Sequence, residues 1–343
     1  MAKTQTVLVT GASGFIAKHI VLQLLNAGYN VVGSIRNLGR SDEVRNAVKP
    51  QLKTRDNLEK RLRFVALDLN SDMGWDEAMA GIDAVLHTAS PFPMEQPKNE
   101  MDLIGPAVDG VKRALNAAHK AGIKRVIVTS SVAAVSYGHQ THKLRYDHTD
   151  WTDVNGAGLA AYTKSKTLAE AAAWEFVRET APEMQLTTVN PALVVGPPLD
   201  DHYGTSLQLI ERLLRGKDPM LPHVGFAMID VRDIAAIHVK SLTTPATIGE
   251  RMLGANGFMW FTDIAQTIKM AHPELKIATR QAPNFMMRIL AIFDKSVHSI
   301  LPELGRQFEI SAERTEDMLD MKFIPAPKAV LASAEYVLNS GKV

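Results

Sequence analysis

Near-continuous apolar runs recur along the first half of the chain: TVLVT at residues 6–10, NVVGSI at 30–35, RFVAL at 63–67, AVLHT at 84–88 and RVIVTS at 125–130. Strands read this way when both faces are buried, as in a parallel sheet with helices on each side. Segments with helical periodicity lie between them, at 15–27, 41–62, 75–80 and 101–121. Repetition of strand, helix and strand implies an α/β fold with a doubly wound parallel sheet. A further helix at 159–181 leads into a sixth strand at 186–190. Beyond Pro191 the texture changes: Pro197, Pro198, Gly204, Gly216 and Pro219 break the chain into shorter pieces and strand signals become sparse. Residues 1–196 are therefore expected to form the sheet domain, and 197–343 mainly a smaller C-terminal lobe, with one helix near 230–242 returning to the core.

Composition removes several classes of chemistry. The chain has 343 residues, 46% of them hydrophobic and 22% charged, and a globular chain of this length buries about 75% of its unfolded surface. Lys and Arg number 38 against 37 Asp and Glu, for a net charge of +1, which argues against a general nucleic-acid binder. Cysteine is absent, so disulfides, thiolate nucleophiles and Cys-ligated metals drop out together. The opening residues lack the long apolar core of a secretory signal. The apolar stretch 285–301 is interrupted by Arg288, Asp294, Lys295 and His298, and a membrane span needs about 20 mostly apolar residues. A soluble, cytoplasmic protein is expected. His139, His142 and His148 fall in one loop without a carboxylate or cysteine at ligand spacing, so no metal site is expected. His87, inside an apolar run, reads as a core residue.

Directly after the first strand comes Gly11-Ala12-Ser13-Gly14-Phe15-Ile16-Ala17, opening a helical pattern. Gly11 permits a tight turn, Gly14 lets the backbone approach a pyrophosphate, and the small Ala17 allows helix to pack closely on strand. The helix N-terminus then presents unpaired N–H groups and its positive dipole end to phosphates. The spacing G-x-x-G-x-x-A differs from the Rossmann G-x-G-x-x-G, but its place between first strand and first helix points to dinucleotide binding. An NAD site places Asp or Glu after the second strand for the ribose hydroxyls. Here Arg36 and Arg40 follow instead, and guanidinium groups grip a 2′-phosphate, so the expected cofactor is NADPH. Asp68 and Leu69, ending the third strand, are placed to touch the adenine. Thr88, Ala89 and Ser90, ending the fourth, are placed to pass beneath the cofactor.

Ser131 follows the fifth strand, at the sheet edge where open α/β folds place ligands. Tyr162 and Lys166 stand four apart on a helical pattern and so share one face. A phenol near its ordinary pKa of about 10 is a reluctant proton donor and acceptor at neutral pH, and a neighbouring ammonium favours its phenolate. In the reductive direction Tyr162 protonates a carbonyl oxygen as hydride reaches the carbon. Ser131 holds that oxygen, and Lys166 also anchors the nicotinamide ribose.

These residues resemble the extended short-chain dehydrogenase/reductase family over nearly the whole chain. The likeness is carried by Gly14-Phe15-Ile16-Ala17, Leu86-His87-Thr88-Ala89-Ser90-Pro91-Phe92, Pro106-Ala107-Val108, Thr129-Ser130-Ser131, Ala171-Ala172-Ala173-Trp174-Glu175-Phe176 and Ile229-Asp230-Val231-Arg232-Asp233. The resemblance implies a Rossmann domain that binds NADP(H) and a substrate-binding lobe. It implies catalytic roles for Ser131, Tyr162 and Lys166, and 2′-phosphate contacts for Arg36 and Arg40. It places Pro191 and Val194 beside the nicotinamide, Ser206 at the cofactor, and Phe92, Val132, Leu159, Leu193 and Phe226 against the substrate. The implied activity is NADPH-dependent reduction of ketones or aldehydes to alcohols, acting on a small-molecule carbonyl with a homodimer as the assembly. A sugar-nucleotide epimerase or dehydratase on the same scaffold, or a non-catalytic NADPH sensor, are the alternatives. Two departures stand out. Asp109 occupies the place before Gly110 where relatives carry a fourth catalytic Asn, and Asn116 lies further along the helix, so that position stays unassigned. The apolar Val132-Ala133-Ala134-Val135 replaces the polar residue that flavonoid reductases use, which favours a smaller or more apolar carbonyl compound.

Overall fold

The computed structural model describes residues 4–91, 97, 99–139, 143–294, 297 and 300–343. In chain order its strands are β1 (Thr6–Thr10), β2 (Asn30–Ile35), β3 (Leu62–Ala66), β4 (Ala84–His87), β5 (Arg125–Thr129), β6 (Arg145–Tyr146), β7 (Gln185–Pro191), β8 (Leu193–Val195), β9 (Gly225–Asp230), β10 (Arg251–Gly254), β11 (Phe258–Trp260) and β12 (Glu309–Ile310). The helices are α1 (Phe15–Asn26), α2 (Ser41–Val48), α3 (Leu58–Arg61), α4 (Trp75–Ala78), α5 (Met101–Lys120), α6 (Ala161–Glu179), α7 (Thr205–Leu214), α8 (Val231–Ser241), α9 (Phe261–Ala271), α10 (Asn284–Leu290), α11 (Glu313–Leu319) and α12 (Ala326–Asn339).

Seven strands form one sheet in the order β3-β2-β1-β4-β5-β7-β10, and every neighbouring pair is parallel. The double burial of the strands is visible residue by residue. Val7 and Val9 of β1 join Leu86, Ile127 and Val189 in a core closed by Ile20 and Leu24 of α1 and Ile234 of α8. Leu8 between them faces the opposite side with Val85, Val126 and Leu186, under Trp75 of α4, Leu115 of α5 and Ala173 of α6. Strand order reverses between β1 and β4, which opens a crevice at their carboxyl ends.

A third core lies in the lobe, where α7, α9 and α12 contribute Ile210, Leu213, Ile264, Ile268, Val330 and Val337. It packs on a small sheet in which β9 pairs β8 in parallel and β11 antiparallel. A two-stranded contact joins β6 to β12.

The structure departs from the sequence pattern in two places. The segment 41–62 is not one helix: α2 ends at Val48, Pro50 sits in a 3₁₀ turn at Lys49–Gln51, and only α3 resumes helix. Proline has no N–H to continue the ladder and clashes with the preceding turn. The sheet also has a seventh strand, β10, drawn from the region where strand signals are sparse. The four residues Arg251–Gly254 are too few to carry a period, and Arg251 at the strand's start masks its burial.

Candidate active site

The glycine turn is built by sterics. Gly11 has φ of +65°, and a Cβ there would stand 3.0 Å from the Ala89 Cα. Gly14 leads into α1, whose first turn has neither a side-chain cap nor an acidic residue, so its orphan N–H groups and positive dipole end remain available to an anion. The turn is tied to β2 by the Ala12 N–H donating to the Ser34 carbonyl at 2.8 Å and the Gly11 N–H to Ser34 Oγ at 3.2 Å. Gly33 in β2 makes room for it, since a Cβ there would meet Ala12 Cβ at 2.8 Å. That glycine went unread in the sequence because strand glycines have many causes. Bare backbone at Gly11 and Gly14 fits the close approach of a pyrophosphate.

Arg36 and Arg40 are exposed beyond the end of β2. The Arg40 guanidinium donates to both oxygens of Glu43, at 2.8 and 3.0 Å. Glu43 also accepts from buried Lys18 at 2.9 Å, and Lys18 pairs in addition with Asp200. Asp68 is exposed, and its carboxylate accepts the Asn70 N–H at 2.8 Å. Leu69 packs over Gly110, where a Cβ would meet Leu69 Cδ2 at 3.0 Å. Thr10 Oγ1 accepts the N–H groups of Thr88 and Ala89, each at 3.1 Å, and bonds His87 Nδ1 at 3.0 Å. Burial and the nearby Lys166 charge push the His87 imidazole down to about 3, so it stays neutral at pH 7.

Ser131 caps the 3₁₀ turn Val132–Ala134, its Oγ accepting the Ala133 N–H at 3.1 Å. Tyr162 and Lys166 occupy the first two turns of α6, with the Lys166 ammonium 6.0 Å from the Tyr162 ring centre. The Tyr162 and Ser131 hydroxyls are hydrogen-bonded; burial pushes the phenol up and that bond opposes it. Burial brings the Lys166 ammonium down to about 8, with the Glu170 charge working against the drop. The arrangement supplies a protonated phenol with a cation close enough to stabilise its conjugate base.

One cleft of about 630 Å³ collects most of the residues singled out in the sequence. Gly11, Gly14, Phe15, Ile16, Thr88 and Ser90 line it together with Ser131, Tyr162 and Lys166. Pro191, Val194 and Ser206, with Val132, Leu193 and Phe226, complete the set. Ala12, Ser13, Ala89, Arg36, Arg40, Asp68, Leu69 and Leu159 lie outside its lining. Phe92 falls outside the described residues. Asp109 and Asn116 border a separate hollow of about 420 Å³ along α5. Tyr137, Tyr203, Gln208 and Phe308 also line the cleft and were not singled out. Phe308, 146 positions beyond Tyr162 in the numbering, reaches the cleft only through the lobe, and no local pattern marks it.

Residues 7–253 match the NAD dependent epimerase/dehydratase family, and the chain belongs to that family. Among curated relatives it is 33% identical over 293 residues to the NADPH-dependent methylglyoxal reductase of Saccharomyces cerevisiae, covering 79% of this chain and 84% of the relative. It is 33% identical over 281 residues to cinnamoyl-CoA reductase CAD2 of Medicago truncatula, covering 80% and 83%. Among solved structures, the yeast methylglyoxal/isovaleraldehyde reductase complexed with NADPH superposes with a TM-score of 0.81 at 27% identity, over 99% of this chain and all of that one.

Proposed function

We propose that this protein is an NADPH-dependent carbonyl reductase that converts ketones and aldehydes to alcohols, with Tyr162 as the proton donor. The observation that carries the reading is the Tyr162 hydroxyl bonded to Ser131, one helical turn from Lys166, in the cleft that the glycine turn opens. The reductase relatives named above, two of them described with NADPH, support the same activity and cofactor.

NADPH, when bound, supplies the hydride. The chain's part is to hold its phosphates at Gly11, Ala12, Ser13, Gly14, Phe15 and Ile16, and its 2′-phosphate at Arg36 and Arg40, whose charge-assisted bonds favour the phosphorylated ribose. Asp68, Leu69, Thr88, Ala89, Ser90, Pro191, Val194 and Ser206 complete the cofactor contacts. Ser131 orients the carbonyl oxygen. Tyr162 delivers a proton to it, and the Lys166 charge stabilises the phenolate left behind. Val132, Leu193 and Phe226 give the substrate an apolar wall, to which Phe92 and Leu159 belong in the same reading. In the same reading residues 1–196, with the core helix near 230–242, form the NADP(H)-binding domain, and 197–343 form mainly the substrate-binding lobe, which closes over the cleft with Phe226. A cytoplasmic homodimer joined through the long helices completes the proposal, and light scattering at twice the chain mass tests the assembly.

The deciding experiment is a panel of ketones and aldehydes assayed with NADPH and NADH in parallel. Loss of NADPH absorbance with little loss of NADH supports the reading. Copurified NAD, with turnover of a sugar nucleotide and no net cofactor consumption, overturns it.

A further inference from the structure

Glu170 lies four residues beyond Lys166, on the same face of α6, and is 1% exposed. Its carboxylate accepts from Ser130 Oγ at 2.6 Å, Asn190 Nδ2 at 2.7 Å, Thr188 Oγ1 at 3.0 Å and Trp174 Nε1 at 3.4 Å. Arg251 of β10 donates Nε to it at 2.6 Å. These donors come from the end of β5, from β7, from β10 and from α6 itself. Two of them bracket Ser131: Ser130 precedes it in the chain, and the Asn190 amide also donates to the Ser131 carbonyl at 3.2 Å. Arg251 reaches onward to the carbonyls of Ala134 at 3.2 Å, His148 at 3.0 Å and Asp150, and stacks on Trp151 at 3.9 Å.

We propose that Glu170 is a positioning residue of the reaction: its fixed negative charge keeps Lys166 protonated in the dry cleft while its hydrogen bonds hold the Ser131 end of β5 in register with Tyr162. The assignment of Lys166 to chemistry rests on the reductase reading. The charge relation itself does not. A buried carboxylate needs one cation, and Arg251 already supplies it; the second cation, one turn away, is what ties the pair to the candidate site. Tyr162 and Glu170 share its helix, neutral His87 of β4 feels its charge, and Arg251 pairs with the Glu170 carboxylate. Glu170 is thus the anion that opposes the burial of the Lys166 ammonium.

The test reads Lys166 directly, in the protein without cofactor, by competitive acylation across pH with quantification of the modified peptide. Wild type is expected to half-titrate near 8. Glu170→Gln is expected to lower that midpoint by about one pH unit or more, a tenfold change in acid constant, and to move the alkaline limb of kcat by the same amount. Trp174→Phe removes a donor but keeps the charge, and leaves the midpoint within about 0.3 unit. If Glu170→Gln fails to fold, the double variant Glu170→Gln/Arg251→Met removes the buried Glu170–Arg251 pair as a unit and, with the Lys166 ammonium deprived of the Glu170 charge, is expected to shift Lys166 in the same direction. An unchanged Lys166 midpoint in either folded variant overturns the proposal. Failure of wild type to consume NADPH with any carbonyl would instead remove the reductase reading and leave the Glu170 titration result standing.

Discussion

A buried phenol and a buried ammonium each cost free energy, opposed here by the Ser131 hydrogen bond at Tyr162 and by the Glu170 charge at Lys166. Burial pushes the Tyr162 phenol up, which suits the proton donor of the proposed reduction, in which the Lys166 charge stabilises the phenolate. Tyr162→Phe is therefore expected to lower kcat/KM for NADPH-dependent carbonyl reduction by about 10²–10⁴, with an unchanged far-ultraviolet spectrum and melting temperature. The Lys166 value of about 8 sets the pH behaviour: kcat falls as pH rises through 8, because the cation is lost. Stability moves the other way. Between about 8 and the ordinary 10.5 the unfolded chain holds a proton that the folded chain has released, so this group makes the fold more stable as pH rises across that window. Lys166→Met abolishes that slope in urea titrations at pH 7 and pH 10 while abolishing activity, and a persistent slope would assign it to another group. At this scale the sequence was highly legible, since i, i+4 spacing on a helix brings Tyr162 and Lys166 together without help from the rest of the fold.

At the scale of elements, the turn between β1 and α1 depends on a backbone conformation that side chains resist. Gly11→Ala is expected to cost about 1–2 kcal/mol for the left-handed conformation alone. Contact with the Ala89 backbone at 3.0 Å adds to that cost. The measurement is a denaturant titration with NADPH affinity by fluorescence, and full stability with undiminished affinity would refute the assignment. Arg40 is a different case, because Glu43 already holds its guanidinium. Arg40→Ala should weaken NADPH binding by about tenfold to a hundredfold, the worth of a charged hydrogen bond, and leave NADH within about twofold. Equal weakening of both cofactors would place Arg40 outside the 2′-phosphate contact. The run of strands from β1 to β5 was readable from apolar character alone. β10 was not, because a four-residue strand that opens with a buried arginine shows neither period nor hydrophobicity until Glu170 supplies its partner.

On the scale of the whole molecule, the cleft exists because two cores meet across it, one around the sheet and one in the lobe. A small charged cluster links them. Lys18, on a helix of the sheet, pairs with Glu43 beside the exposed Arg40 and with Asp200 in the segment leading to α7. Asp200→Asn should cost about 1.5–3 kcal/mol, the range for a hydrogen bond to a charged group, read as a lowered melting temperature at pH 7. Loss below about 0.5 kcal/mol would show the pair to be a surface contact of little weight.

By itself the sequence determined the sheet's first six strands, the turn after β1 and the face shared by Tyr162 and Lys166. Each is written in short-range order: apolar runs, glycine spacing and helical period act between residues only a few positions apart. Tertiary structure alone decided that β10 closes the sheet, that Glu43 takes Arg40, that Phe308 and Tyr137 wall the cleft, and that Glu170 gathers donors from three strands. Those pairings join residues 3 to 171 positions apart in the numbering. Even the Arg40–Glu43 pair, the nearest of them, shares its carboxylate with Lys18, a residue 25 positions away that only packing brings there.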